Sequence, residues 1–161
     1  MNTTEIAKAS ETALRSFMRP LPPVVLEFTH EVPSLSGGVA EQFYVLDLDA
    51  NRQGIIQLCQ STYLQSNEDF LFVDLAKRIT SGSSSKGAML AGYLSAAALA
   101  ESRNMRLSAG LSTTESALKI WNILAAANVA FVVEEPQIVL NIRGYEKSYA
   151  TDIRMKRLAE L

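Results

Sequence analysis

The sequence predicts an α/β (α+β) protein: a mixed, mostly antiparallel sheet flanked by helices. Three observations carry this. Strand-type runs follow one another from Val24 to Leu75 with turn residues between them. A run dominated by Ala, Leu and Met, with no proline, extends from Lys86 to Ser102 and has the composition of a helix. A strand-type run, a second helix-type run and further short apolar runs come after it.

The 161 residues suit one compact domain with a sizeable core, 1–161, and are too few for two ordinary ones. Residues 1–23 read as an N-terminal helix with a Pro-rich connector. Asn2 and Glu5 have capping-box spacing, Ile6, Ala9, Ala13, Leu14 and Phe17 share one face, and Arg19 to Pro23 stops the helix. Val24 to Val32 alternates as a strand and would put His30 on the apolar face as a core residue. Glu41 to Leu64 reads as a hairpin turning at Asp49 to Arg52, and Asp69 to Leu75 as the third strand of an antiparallel meander.

Ile79 to Ala88 is a serine- and glycine-rich loop leading into the helix-type run. A strand, a small-residue loop and a helix present the unpaired amides and positive dipole end that suit a phosphate. The loop is neither a Walker A sequence nor G-x-G-x-x-G. The helix must cross over the sheet, which places Met105 to Ser112 parallel to Asp69–Leu75. Ser112 or Thr113 is the expected cap of the next helix, with Ala117, Ile120, Trp121 and Leu124 as its buried stripe and Asn128 as its stop. Two short strands separated at Glu134 to Pro136 follow. Residues 145–161 read as a charged, weakly helical tail.

Composition narrows the function classes. Hydrophobic residues make up 48% and charged residues 20%, the balance of a soluble globular protein. A net charge of −2 supplies no basic field for nucleic acid. One cysteine, Cys59, and one histidine, His30, speak against a disulfide, a metal site and a histidine-based triad. The sequence contains no apolar run of the ~20 residues needed to cross a membrane, and the N-terminus does not read as a signal peptide. The expectation is a cytoplasmic protein.

Two stretches, with their order, resemble the GNAT family of acyl-CoA N-acyltransferases. Lys86-Gly87-Ala88-Met89-Leu90-Ala91, followed by Leu94, is similar to the family's R/Q-x-x-G-x-G/A loop, with Met89 in place of the first glycine. In the later helix Ala117 matches N-x-x-A-x-x-x-Y, while Thr114 and Trp121 replace the asparagine and tyrosine. The likeness spans roughly Glu41 to Arg143.

The resemblance implies acetyl-CoA as co-substrate and no metal. It places the thioester near Phe72, Val73, Asp74 and Leu75, and the pyrophosphate on Lys86, Gly87, Ala88, Leu90, Ala91 and Gly92. Asp74, Asp69 and Glu68 are then the candidate bases for an acceptor amine. The acceptor would be a small amine or a protein amine. Trp121 has no useful acid, since an indole N–H does not titrate in the working range. The missing glycine, asparagine and tyrosine raise an alternative from another class: a GNAT-like domain that has lost catalysis and serves as a structural or binding subunit, for example in a phage particle, with protein partners. Oligomeric state stays open on both readings.

Overall fold

The computed structural model describes residues 20–34, 37–79, 86–110, 114–140, 146–149 and 152–160. The expected N-terminal helix and most of the serine-rich loop lie outside them. The meander is present: β1 (Val25–Pro33), β2 (Val39–Leu46), β3 (Arg52–Tyr63) and β4 (Glu68–Arg78) pair antiparallel in succession. The turn between β2 and β3 is built on Asp47, whose carboxylate accepts from the Asp49 and Asn51 amides at 2.9 and 2.8 Å. These bonds hold the Asp47 carboxyl below its ordinary value, the Asn51 amide being the largest cause.

The crossover follows as α1 (Ala88–Ser102), β5 (Arg106–Ser108) and α2 (Glu115–Ala126), with β4 and β5 parallel. Thr114, rather than Ser112 or Thr113, caps α2: its hydroxyl accepts from the Ala117 amide at 3.2 Å. Asn128 ends α2's extension in the left-handed region at φ 61°, a conformation that asparagine tolerates better than most residues.

The C-terminal tail is not weakly helical over its described residues, which are mostly strand. After β6 (Ala130–Val133) and β7 (Gln137–Leu140) the chain forms β8 (Glu146–Tyr149) and β9 (Asp152–Met155), and ends in a 3₁₀ turn at Leu158–Glu160. β9 lies between β5 and β6, antiparallel to both. The main sheet order is β1-β2-β3-β4-β5-β9-β6, and β7, paired with β8, joins the end of β3.

The sheet has two unlike faces. Tyr93 of α1 and Trp121 of α2 meet edge to face at 5.7 Å and pack with Val45, Ile56, Leu71 and Leu107. On the second face Tyr63 stacks on Phe70 at 3.9 Å, within a smaller cluster holding Cys59, Phe72 and Val139. His30 is exposed instead of joining a core. A register shift between Phe28 and His30 breaks the alternation of β1, because a bulge inserts one residue and turns the following side chains over.

Candidate functional site

Parallel pairing of β4 with β5 lasts for only three rungs, Phe70 with Arg106, Leu71 with Leu107 and Phe72 with Ser108. β4 runs on to Arg78, still paired with β3 on its other side. Beyond Phe72, its β5-side edge therefore has no strand partner among the described residues. The reason is visible in β5. Ala109 donates instead to the Ile153 carbonyl of β9 at 2.9 Å. Gly110 then turns with φ +76°, close above Phe72: a Cβ there would sit 3.1 Å from the ring. The strand is led away from β4 at a position that glycine tolerates best.

At the same place β4 is itself irregular. Leu58 pairs with Val73 and Gln57 with Leu75, so Asp74 is an extra residue, bulged out of the ladder. A bulge re-aims a side chain and bends the strand locally. Asp74 is 5% exposed, and its Oδ1 accepts a hydrogen bond from Ser34 Oγ at 3.0 Å. Of the neighbouring candidates, Val73 is buried in the helix-side core and Leu75 is exposed.

The other two candidate bases do not reach this opening. Glu68 starts β4 and pairs with Arg106 Nε at 3.0 Å. Asp69 accepts from Thr62 Oγ1 at 2.6 Å. Both precede the β4–β5 rungs, whereas the strands part after them. Only Asp74 of the three carboxylates lies on the open side.

At the start of α1 Gly87 occupies the cap position at φ 85°, no side chain among the described residues caps it, and the Ala91 amide already bonds the Gly87 carbonyl at 3.0 Å. The donors left by helix geometry are the N–H groups at 88–90, not those of Ala91 and Gly92. Lys86 is exposed, while the side chains of Ala88, Leu90 and Ala91 are buried. Gly92 is small for the sheet's sake: a Cβ there would lie 3.1 Å from Val45 and 3.2 Å from Ile56. Met89 packs onto β3, its thioether against Gly54, beside the helix-side core. Leu21 and Pro22 of the connector approach Gly87 on the other side, at 3.2 and 3.5 Å from a Cβ there.

A second group of polar residues escaped the sequence reading. Tyr63 Oη contacts Ser108 Oγ and donates to Asp152 Oδ2 at 2.7 Å. Arg154 Nε donates to the same Oδ2 at 3.0 Å, its guanidinium lies 3.7 Å over the Tyr63 ring, and its Nη2 reaches Gln137 Oε1 at 3.2 Å. Tyr63, Ser108 and Asp152 are all at most 2% exposed. Burial pushes the Asp152 carboxyl up from its ordinary value, against the lowering by Tyr63 and Arg154. Burial and then the Asp152 charge push the Tyr63 phenol far above its ordinary value. The signal was present as the alternation Asp152-Ile153-Arg154-Met155, with Ile153 and Met155 in the helix-side core, but four residues inside a charged tail carry little periodicity.

Trp121 is 1% exposed and anchors the helix-side core together with Tyr93. Burial raises the Tyr93 phenol to about 12. Among the described residues no group of three or more His, Cys, Asp or Glu is arranged to hold a metal ion, and no helix is long and apolar enough to cross a membrane.

The arrangement defines a class of site: an interrupted parallel strand pair with one free edge, a bulged carboxylate on that edge, and the crossover helix that follows it beginning in an uncapped amide turn. No family model, curated protein or solved structure matches this chain.

Proposed function

We propose that the chain is an N-acyltransferase that moves an acetyl group from acetyl-CoA to an amine. The observation that carries this is the free edge of β4 beyond Phe72, beside the bulge at Asp74. An extended pantetheine arm carries amide groups of its own and suits a strand edge with which no other strand pairs among the described residues. The thioester lies near Val73, Asp74 and Leu75. The pyrophosphate takes the amides at 88–90, with Lys86 as a solvated counter-charge that contributes about 1 kcal/mol or less. The packing of Met89 onto β3 favours this reading, because it keeps that side chain off the phosphate position.

Acyl transfer requires the acceptor ammonium to lose a proton before its nitrogen attacks the carbonyl. Asp74 is the carboxylate on the open side, oriented by Ser34. Holding amine and thioester together supplies much of the remaining acceleration. Calorimetric titration with acetyl-CoA tests the reading first, and thiol release with a panel of polyamines and peptide amines tests it second. Saturable binding that Asp74→Asn leaves intact, with transfer that the same change reduces, is the expected result. Absence of binding at millimolar acetyl-CoA rejects it.

A second reading is favoured by one observation. Leu21 and Pro22 lie close beside Gly87, and the side chains of the first turn are largely buried, as in a domain that keeps the fold but not the cofactor. Such a chain serves as a structural or binding subunit with protein partners, as in a phage particle. Acetyl-CoA binding by the unmodified protein separates the two.

A further inference from the structure

We propose that β1 is the seam of a two-fold dimer: its outer edge pairs antiparallel with β1 of a second copy of this chain, Phe28 facing Phe28 and Glu27 facing His30. The proposal is independent of the acyl-transfer reading and asks nothing of the site on β4.

β1 ends the main sheet, and among the described residues no strand pairs with its far side. Such an edge recruits other strands unless charge, proline or a covering element blunts it. β1 is nine residues long and presents large apolar side chains to solvent, Val25 being 52% and Phe28 51% exposed. Phe28 meets Phe43 edge to face, yet Phe43 is 5% exposed and Phe28 stays half open. Glu27, His30 and Glu31 are exposed along the same strand.

The bulge decides what this edge can pair with. The rungs run Val25, Leu26, Glu27, Phe28, His30, Glu31, Val32 and Pro33, with Thr29 extra between Phe28 and His30. Glu27 and His30 are three apart in sequence and would alternate in a regular strand; here they share a face, one rung to either side of Phe28. Phe28 and Leu26 look toward the helix-side core, which includes Phe43. Val32 packs in the second-face cluster, and alternation puts Val25, Glu27 and His30 on that face too.

Opposite residues of an antiparallel pair share a face. Read against its own copy about Phe28, the strand sets Glu27 against His30, Val25 against Val32 and Leu26 against Glu31, each twice. The carboxylate meets an imidazole, which has an N–H to donate in either protonation state. The valines meet each other, and two phenyl rings meet at the axis, where aromatic cross-strand pairs stabilise a sheet. Leu26 with Glu31 is the one mixed pair. The neighbouring registers fit worse. An axis at Glu27 opposes two carboxylates, an axis at His30 sets Phe28 against Glu31, and an axis between rungs opposes residues of different faces. The charges that bar other strands from this edge thus select its own copy.

The bulge does not obstruct the seam. Thr29 Oγ1 donates to the Gln42 carbonyl at 3.2 Å and accepts from Gln42 Nε2 at 3.3 Å, so its side chain is turned inward on β2. In the dimer each bulge lies opposite the regular step from Phe28 to Glu27 of the copy. That repeats the fit β1 already makes with Phe43 and Gln42.

The test is the oligomeric state of the full chain, followed by sedimentation velocity from about 1 to 300 μM, a range that suits a small interface. A concentration-dependent dimer is expected. His30→Glu opposes two carboxylates at both ends of the seam and should raise the dimer Kd by about 10-fold or more. Glu27→Lys combined with His30→Glu reverses the pair and should bring Kd back to the wild-type value or below. Both side chains are exposed, so Tm at low concentration should hold. Phe28→Cys should cross-link copies on mild oxidation, whereas Glu31→Cys, which meets Leu26, should not; the native Cys59 is buried. A wild type that stays monomeric across the range overturns the proposal, whether another part of the chain or a different protein covers the edge. So does a dimer that His30→Glu leaves intact, or that the double exchange fails to restore while Phe28→Cys gives no cross-link.

Discussion

Replacing Gly87 by Ala tests the amide turn at its hinge. Gly87 sits at φ 85°, and the helix begins at the next residue. An L-residue held in that region loses roughly 1–2 kcal/mol relative to glycine, because its Cβ crowds the following carbonyl. The added methyl would also come within 3.2 Å of Leu21 Cδ2 and 3.5 Å of Pro22 Cδ, tight for the first and ordinary for the second, and both belong to a connector rather than to the sheet. The backbone term therefore dominates, and the net loss is about 1–2 kcal/mol, or about 2–8 °C in Tm for a domain of this size. Gly87→Asn should lose less, since asparagine tolerates the left-handed region. Thermal unfolding followed by circular dichroism gives the order glycine, asparagine, alanine, and acetyl-CoA affinity should fall in the same order as the amides at 88–90 are re-aimed. An alanine variant as stable as the wild type, or an asparagine variant worse than alanine, refutes the argument that the positive φ governs this turn.

Gly92→Val should destabilise by about 1–3 kcal/mol in urea unfolding, because the new side chain meets Val45 and Ile56, both fully buried. Tyr93→Phe should be neutral or stabilising by up to about 1 kcal/mol in the same assay: the Tyr93 hydroxyl is buried without a partner among the described residues, and the edge contact with Trp121 survives. Asp152 has a folded-state pKa raised above its ordinary value of 3.8, so its folded form binds the proton more tightly than its unfolded form. Its contribution to stability is fully present below about pH 3.8 and is lost as pH rises through the folded value. The stability difference between wild type and Asp152→Asn, measured by urea unfolding from about pH 4 to 7, should thus shift against the wild type with rising pH; a flat or opposite trend contradicts the raised pKa.

The sequence by itself determined the meander, the crossover helix, the parallel β5 and the second helix. Each announces itself locally, through strand runs of eight to twelve residues, a 15-residue helix run, and turn chemistry such as that of Asp47 to Asn51. It also marked the small-residue turn at Gly87, because a strand followed by a small-residue loop and a helix has a fixed geometry; Asp74 was singled out only by the family resemblance, together with Asp69 and Glu68. Tertiary structure alone decided the rest. The bulges at Thr29 and Asp74 depend on pairing with a neighbouring strand, so alternation misplaced His30. β9 is four residues long and gains its partners only by insertion between β5 and β6. Gly92 is small because of a β-sheet contact, which spacing along one helix cannot reveal. Tyr63 meets Ser108 and Asp152 across 45 and 89 positions of chain, and no local pattern encodes a contact at that separation: it exists only once the β9 insertion brings a buried carboxylate beside the end of β3.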